Sequence, residues 1–309
     1  MARTADPHLN PLPEQRPLLH GLVTAAHGRQ YIVELASGEQ VSCFTRGKKS
    51  LVACGDRVAV TATAPGQAVI EAVDPRRSLL YRSDAYRQKL IAANVTQLVI
   101  VLAAFPSFYE ELLNRCLVAA EHDRLRALIV LNKFDLAEPS AQAFDRLQLY
   151  RDLGYTVLPL IAKQDVSPLG PHLEGHNSVL VGQSGMGKST IINRLVPGAA
   201  AATADVSLAL DSGRHTTTYA RLYRLDASSS LIDSPGLQEF GLLHLSLLEL
   251  QQAFVELRRH LGHCRFNDCA HLGEPGCAVQ AALEQGEICE RRVGVYRKLA
   301  EELRRKPRR

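Results

Sequence analysis

Short runs that alternate between apolar and polar residues dominate the first part of the chain, with glycine- and proline-containing turns between them. The runs with strand character lie at residues 22–23, 31–35, 40–44, 57–60 and 69–73. Five short strands in so small a region predict a closed β-barrel, with the OB-fold as the leading candidate. Such barrels often bind single-stranded nucleic acid; a barrel used only for packing or protein contact is the alternative.

The hydrophobic period lengthens after residue 94. An almost unbroken apolar run at residues 95–104 predicts a strand that is buried on both faces. Further strands are predicted at 127–131, 155–160, 178–181 and 230–232, and helices at 109–121, 141–153 and 191–195. This alternation predicts a doubly wound α/β domain, in which ligands bind at the carboxyl ends of parallel strands.

Helical character returns near Ser246, which has capping-box spacing to Glu249. One apolar helical face is predicted to follow, and its residues are Leu250, Phe254, Leu257 and Leu261. Two more helices are predicted at 278–284 and 290–305. The predicted organisation is a disordered arm at 1–18, an OB-fold barrel at 19–78, an α/β domain at 84–243 and a helical domain with a basic tail at 246–309.

Composition narrows the possible partners only slightly. The formal charge of +4 gives no global argument for nucleic-acid binding, although basic residues cluster at Arg46, Lys48 and Lys49 and again at 304–309. These clusters fit nucleic-acid contact and solvated surface about equally well. The chain has seven cysteines, no signal-peptide core at its start and no apolar run of the ~20 residues that span a bilayer. We therefore expect a cytoplasmic monomer with reduced thiols and no membrane partner.

A phosphate-binding motif begins at residue 182, where the sequence Gly-Gln-Ser-Gly-Met-Gly-Lys-Ser matches G-x-x-x-x-G-K-S/T. A predicted strand precedes it and a predicted helix follows, which is the context that the motif requires. Backbone N–H groups of such a loop surround phosphates, Lys188 is expected to bridge the β- and γ-phosphates, and the Ser189 hydroxyl is expected to ligate Mg²⁺. The predicted nucleotide-binding residues are Gly182, Gln183, Ser184, Gly185, Met186, Gly187, Lys188, Ser189 and Thr190.

A second set of phosphate-side residues follows the loop. Asp233 comes directly after a predicted strand and is expected to hold the Mg²⁺ shell, while the Gly236 amide is expected to contact the γ-phosphate. Between the two motifs, a polar segment containing three threonines is expected to complete the metal shell through Thr218 or Thr217. An ordinary surface loop is the alternative for this segment.

Base selection is predicted from Asn132, Lys133, Phe134 and Asp135 at the end of a buried strand. The Asp135 carboxylate can accept from guanine N1–H and the N2 amino group, and adenine offers neither donor there. Asn132 is expected either to bind the guanine edge or to tie loops together. Ala162 and Lys163 resemble a Ser-Ala-Lys loop whose backbone amide reads guanine O6, although Ile161 replaces the serine.

The order of these motifs is unusual, because the guanine motif precedes the phosphate loop instead of following it. That order predicts a circularly permuted GTP-binding domain. Leu237 occupies the position after Gly236 where many GTPases have a glutamine that orients water. Because an aliphatic side chain cannot hydrogen-bond water, we expect slow hydrolysis unless a partner, or a residue such as His215, positions the water.

Three cysteines and one histidine lie close together as Cys264-x4-Cys269-x-His271-x5-Cys277. Three thiolates and one imidazole suit tetrahedral Zn²⁺, and four protein ligands leave no position open for catalysis. A single structural Zn²⁺ is therefore expected. Reduced buried cysteines, or His260 or His263 as a ligand, are the alternatives left open.

Taken together, the barrel, the permuted nucleotide motifs and the cysteine/histidine run resemble the ribosome small subunit-dependent GTPase A family over roughly residues 20–300. The resemblance implies an α/β chain with an N-terminal OB-fold β-barrel, a circularly permuted P-loop GTPase domain and a C-terminal helical zinc-binding domain. It also implies GTP hydrolysis stimulated by the small ribosomal subunit and its rRNA during late maturation, with GTP and Mg²⁺ bound by the residues above. Departures such as Met186, Thr96 and Ile161 remove no required functional group.

Two other functions fit parts of the same sequence. A P-loop small-molecule kinase would share Lys188 and Ser189 but would not need the guanine motif. A nucleotide-gated RNA-binding scaffold with little catalytic role would bind GTP without subunit-stimulated turnover.

Overall fold

The computed structural model describes residues 17–46, 52–83, 88–199, 220–234 and 241–305. Its first part is a barrel of five strands, which are β1 (Leu18–His27), β2 (Gln30–Leu35), β3 (Gln40–Thr45), β4 (Arg57–Ala64) and β5 (Gln67–Val73). They follow the order β1-β2-β3-β5-β4, and β4 pairs back with β1, so the sheet closes on itself. Alternate residues such as Val33, Val41 and Val58 fill the interior. The predicted OB-fold barrel is confirmed.

A hairpin follows the barrel and was not predicted from the sequence. Its strands are β6 (Leu79–Ser83) and β7 (Gln88–Ala93), which pair antiparallel in a separate small sheet. Leu80 and Ile91 are buried in the same core as the following α/β domain. The hairpin therefore packs with the α/β core rather than with the barrel interior.

The α/β domain contains six strands that continue the barrel sheet. They are β8 (Gln97–Ala103), β9 (Arg126–Asn132), β10 (Thr156–Pro159), β11 (Asn177–Val181), β12 (Ala220–Arg224) and β13 (Ser230–Asp233). Their order is β10-β9-β8-β11-β13-β12, and all neighbours are parallel except β12 and β13. All residues of β8 are buried, as expected of a strand covered on both faces. The carboxyl ends of β9, β11 and β13 therefore meet at one edge.

Helices cover both faces of this sheet. They are α1 (Glu110–His122), α2 (Ala137–Arg146), α3 (Gln148–Asp152), α4 (Gly170–Leu173) and α5 (Lys188–Leu195). Leu113, Leu117 and Tyr150 pack with one face of the sheet, and Leu173 and Ile191 pack with the other. The doubly wound architecture is confirmed. The single helix predicted at 141–153 is wrong, because α2 ends at Arg146 and α3 begins at Gln148, with Leu147 as the cap of both.

β12 joins the α/β part of the sheet to the barrel, since it pairs antiparallel with β1 through Ala25 opposite Arg221 and Ala26 opposite Ala220. An ion pair between Arg224 and Glu34 spans the same joint at 2.6 Å. The sequence did not predict this strand, whose short mixed composition lacks a clear period. No helix in the described part of the chain is long and apolar enough to cross a membrane.

The C-terminal region is helical, with α6 (Leu247–Ala253), a 3-10 turn at Arg258–His260, α7 (Ala278–Glu284) and α8 (Glu290–Arg305). The predicted capping box is confirmed: the Ser246 hydroxyl accepts from the Glu249 N–H, and the Glu249 carboxylate accepts from the Ser246 N–H at 2.7 Å. The helical face predicted as far as Leu261 is wrong, because α6 ends at Ala253. Phe254 and Leu257 are nevertheless buried in the core.

Arg292 links this region to the α/β domain through a buried hydrogen bond. Its side chain is 1% exposed, donates to Glu256 Oε1 at 2.6 Å and to Asn114 Oδ1, and lies 4.4 Å from the Phe254 ring centroid. Asn114 in turn donates to the Tyr150 hydroxyl at 2.9 Å. The buried guanidinium is thus paired with a carboxylate and an amide oxygen. It links α8 to α1 and, through Asn114, to α3. The C-terminal region and one face of the sheet therefore share a core.

Candidate functional site

The phosphate loop leaves β11 at Val181 and leads into α5. Gly182 and Gly187 have φ angles of +147° and +96°, which favour glycine. A Cβ atom at Gly182 would lie 2.2 Å from the Val101 carbonyl oxygen, and one at Gly187 would lie 2.2 Å from Asn132 Nδ2. Gly182 is therefore required by the close approach of the β8 backbone, and Gly187 by that of the Asn132 side chain. Met186 is buried in the core, whereas Ser184, Gly185 and Ser189 are exposed at the loop surface.

Lys188 lies at the first position of α5, with its ammonium directed back over the loop. Its Nζ donates to the carbonyl oxygens of Gly182 at 2.6 Å and Gln183 at 2.8 Å. Burial lowers the pKa of Lys188, and the nearby Asp233 carboxylate partly offsets this shift. Burial likewise raises the pKa of Asp233, with Lys188 opposing it. The pair therefore brings one positive and one negative group together at the end of β13, where a nucleotide triphosphate and its metal would need them.

Asn132 connects three parts of the site. The residue is 3% exposed, its Nδ2 donates to the Met186 carbonyl oxygen at 2.9 Å, and its Oδ1 accepts from the Ala162 N–H at 3.0 Å. Asn132 was expected either to bind the guanine edge or to tie loops together. In the structure both of its side-chain groups bond to neighbouring loops. The guanine motif, the phosphate loop and the loop at residues 161–165 are thereby held in one arrangement.

Gly187→Ala tests this arrangement. The substitution places a methyl group against Asn132 and forces a side chain into left-handed backbone geometry. We therefore expect the free energy of unfolding to fall by about 1–3 kcal/mol. GDP affinity is expected to fall about tenfold, measured by titration of the purified variant.

Gly185→Ala is the matched control for that substitution. Its φ of +79° carries similar backbone strain, but the nearest atom to a Cβ there is Pro106 Cγ at 3.9 Å. Gly185→Ala should therefore lose less affinity than Gly187→Ala. Equal losses in the two variants would contradict a role for the contact with Asn132.

The other residues of the guanine motif line the same edge. Lys133 has a φ of +59°, and its Nζ donates to the Phe105 carbonyl oxygen at 2.8 Å. The Phe134 N–H donates to the Leu160 carbonyl oxygen at 3.1 Å, which fixes the turn after β9. Asp135 follows in an exposed position. Asp135 is thus open to solvent, while its neighbours are held by the protein.

Residues 161–165 form a tight turn beside Asn132. The N–H groups of Gln164 and Asp165 both donate to the Ile161 carbonyl oxygen, at 2.8 and 3.0 Å. Ala162 is buried and its N–H is bound to Asn132, whereas Lys163 is exposed. The structure thus distinguishes two residues that the sequence grouped together: among the described residues the Ala162 N–H has an acceptor within the protein, and the Lys163 N–H has none.

Several contacts at the site involve residues that the sequence did not indicate. The Tyr109 N–H donates to Gln183 Oε1 at 2.7 Å, which links the start of α1 to the phosphate loop. Arg194, in the last turn of α5, donates to the carbonyl oxygens of Gln164 at 2.9 Å and of Lys163. No local motif marks either contact, because both depend on how separate loops meet. Thr190 lies in the first turn of α5.

Two predicted site residues lie outside the described residues. Thr218 belongs to the segment at 200–219, and Gly236, with Leu237, belongs to the segment at 235–240. Thr217 and His215 fall in the first of these segments as well. Their roles stay predictions.

Cys264, Cys269, His271 and Cys277 form the candidate metal centre. Their ligand atoms lie within 4.8 Å of one another, and all except Cys264 are buried. His271 Nδ1 lies 3.5 Å from Cys264 Sγ, 3.6 Å from Cys269 Sγ and 3.4 Å from Cys277 Sγ. A tetrahedral zinc site with ordinary bond lengths requires sulfur–nitrogen separations of about 3.6 Å. The four groups therefore fit a tetrahedral metal ion.

The surroundings of this cluster hold its backbone in place. Glu274 accepts from the N–H groups of Ala270 at 3.0 Å and Leu272 at 2.7 Å, and the Tyr296 hydroxyl donates to the Ala270 carbonyl oxygen at 2.6 Å. The Ala278 N–H donates to Cys264 Sγ at 3.3 Å, as expected for a thiolate ligand. These contacts tie the cluster to α7 and α8. His260 instead lies near Glu287, with 3.7 Å between Nε2 and the carboxylate.

Comparisons with known proteins give a consistent result. Residues 73–243 match the family model described as RsgA GTPase. The small ribosomal subunit biogenesis GTPase RsgA of Nitrosospira multiformis is 57% identical over 283 residues, which cover 92% of this chain and 90% of that protein. The protein of the same name from Burkholderia pseudomallei is 54% identical over 287 residues, with 91% of each chain covered.

Two solved structures have the same architecture. The YjeQ structure from Thermotoga maritima matches with a TM-score of 0.71 and 31% identity, covering 95% of this chain and all of that one. YloQ, described as a circularly permuted GTPase, matches with a TM-score of 0.69 and 27% identity over 96% of this chain and 99% of that one. The permuted order predicted from the sequence is confirmed.

Proposed function

This chain belongs to the RsgA GTPase family, and we propose that it binds the small ribosomal subunit and hydrolyses GTP to GDP and phosphate during late maturation of that subunit. Its relatives are named for biogenesis of the small ribosomal subunit. The observation that carries the GTP assignment is the position of Asn132. It joins the guanine motif, to which it belongs, to the phosphate loop and to the turn at residues 161–165, which supports phosphate binding and guanine recognition in one site.

On the phosphate side, the chain supplies one cation and one carboxylate. The Lys188 ammonium would move from the Gly182 and Gln183 carbonyl oxygens to the β- and γ-phosphates, exchanging neutral acceptors for charged ones. Ser189 and Asp233 would hold Mg²⁺, with Thr218 completing the shell and the Gly236 amide contacting the γ-phosphate. Asp233 fits this role because its carboxylate is part-buried at the end of β13, opposite Leu180 of β11. The ion neutralises charge on the phosphates when it is bound.

On the base side, we expect selectivity for guanine to follow from the negative charge and the exposure of Asp135. The Asp135 carboxylate is exposed at the end of the guanine motif and would accept two hydrogen bonds from guanine. Adenine would leave this carboxylate without donors, which disfavours the P-loop kinase alternative. GTP over ATP is therefore the expected preference.

We assign the candidate metal centre to one structural Zn²⁺, held by Cys264, Cys269, His271 and Cys277. Soft thiolate donors with one imidazole favour zinc, and four protein ligands leave no site for substrate. The zinc would stabilise the C-terminal region rather than take part in hydrolysis. The barrel and this region would then contact rRNA in a cytoplasmic, monomeric protein.

Slow hydrolysis by the isolated protein follows from Leu237. Because its side chain cannot orient water, we expect the small subunit to supply or order the missing group. Adding purified small subunits should raise the hydrolysis rate at least about tenfold, measured as phosphate release at saturating GTP. Large subunits at the same concentration serve as the matched control.

The outcome separates the proposal from its alternative. Subunit binding without faster phosphate release would favour a nucleotide-gated RNA-binding scaffold. Equal stimulation by large subunits would contradict specificity for the small subunit. A preference for ATP over GTP would contradict the proposed substrate.

A further inference from the structure

Arg194 contacts the turn at residues 161–165 from a different element. It lies in the last turn of α5, six residues after Lys188, and therefore about 9 Å further along the helix axis. One end of α5 thus adjoins the phosphate loop, and the other end reaches the turn beside the base. The guanidinium donates Nη1 to the Gln164 carbonyl oxygen at 2.9 Å and Nη2 to the Lys163 carbonyl oxygen. Two donors in a fixed fork hold two successive carbonyl groups.

The same turn is also held by Asn132. The Ala162 N–H is donated to Asn132 Oδ1 at 3.0 Å, so this amide is already used within the protein. The next amide along the chain, that of Lys163, has no acceptor among the residues that the structure describes. Lys163 is also exposed. Of the two amides, that of Lys163 is the one available to a ligand.

The direction of the Lys163 N–H depends on its two neighbouring peptide groups. Asn132 fixes the peptide before Lys163, and Arg194 fixes the carbonyl groups that follow it. Because each peptide group is planar, holding these groups limits the rotation of the amide between them. Asp165 completes the turn by accepting from the Ser167 N–H at 2.8 Å and from its hydroxyl at 2.6 Å.

We propose that Arg194 is a positioning residue for guanine recognition: it holds the turn at residues 161–165 so that the Lys163 amide donates to guanine O6. This inference rests on the proposed GTP-binding function. It replaces the sequence-based assignment in which the Ala162 amide could serve, since that amide is bound to Asn132. Arg194 touches protein carbonyl groups only, so it acts on the base through the backbone.

Arg194→Ala separates this role from general support of the fold. The probes are GDP and 6-thio-GDP, which keeps the N1–H and amino donors that Asp135 would bind but replaces O6 with sulfur, a weak acceptor. We expect Arg194→Ala to lose GDP affinity about three- to tenfold and 6-thio-GDP affinity less than about twofold. Affinities are measured by titration at neutral pH, and folding is checked by thermal unfolding.

Two further variants act as controls. Arg194→Lys keeps a charge near the end of α5 but loses the two-pronged geometry, so it should resemble Arg194→Ala in its preference between the two probes. Arg151→Ala removes an exposed arginine from α3, where it lies over the Phe144 ring, and should leave both affinities unchanged.

Each result has one meaning. Equal losses for GDP and 6-thio-GDP in Arg194→Ala would show that Arg194 only supports the fold and would overturn the inference. Unchanged GDP affinity would overturn it as well. A wild-type protein that binds ADP as tightly as GDP would instead refute the proposed function, and the inference with it.

Discussion

Lys188→Ala is expected to lower the rate of GTP hydrolysis by about a hundredfold or more, because the lysine supplies charge stabilisation at the transferred phosphate. In the structure its ammonium is part-buried and bound to two carbonyl oxygens of the phosphate loop, with the Asp233 carboxylate nearby. Removing the cation leaves both carbonyl oxygens without this donor and leaves Asp233 without its counter-charge. GTP affinity should fall more than GDP affinity, since the β- and γ-phosphates both lose a partner.

The measurements are single-turnover hydrolysis in the presence of small subunits, and titration with GTP and GDP. Lys298→Ala is the matched control, since it removes a lysine that forms an exposed ion pair with Glu111 at 2.5 Å, away from the site. Exposed pairs of this kind contribute little, so hydrolysis should be unchanged. If Lys188→Ala hydrolysed GTP at the wild-type rate, the assigned role of the loop would be refuted.

Much of the fold could be predicted because its signals are local. Strand alternation in the barrel, the buried run of β8 and the capping box at Ser246 each depend on residues close in the sequence. The pairing of β12 with β1 could not be predicted in this way, since it joins Ala25 to Arg221 across nearly the whole chain. The β6–β7 hairpin was missed because its strands are short and the sequence between them, residues 84–87, contains no glycine.

The candidate site shows the same division between local signals, which could be predicted, and contacts between distant segments, which could not. Motifs gave Asn132, Lys188 and Asp233, because nucleotide chemistry requires those residue types at those positions. Contacts between loops, such as Arg194 with Lys163, are set by the end of a helix meeting a distant turn, and no spacing rule reports them. The buried contact of Arg292 with Asn114, which joins the C-terminal region to α1, could not be predicted for the same reason.

Cys269→Ser is expected to remove the metal ion and to destabilise the C-terminal region. Structural zinc with four ligands contributes about 10–16 kcal/mol in zinc-finger peptides, so loss of the ion should destabilise the C-terminal region by several kcal/mol. Cys269 is buried, and its carbonyl oxygen accepts from Gln251 Nε2 at 3.0 Å, so loss of the metal also loosens α6. The measurements are metal content per chain and thermal unfolding with and without a chelator.

GDP affinity provides the discriminating measurement, because the described side-chain hydrogen bonds of Asn132 and Lys188 go to residues of the α/β domain. We therefore expect Cys269→Ser to bind GDP within about twofold of wild type at temperatures where it stays folded. Cys289→Ser is the matched control: Cys289 is exposed and lies outside the metal cluster, so metal content and stability should not change. A wild-type protein that is fully stable and metal-free would refute the zinc assignment. Loss of GDP affinity together with the metal would instead show that α1, which bonds to Gln183 at its start and to Arg292 at Asn114, transmits the state of the C-terminal region to the phosphate loop.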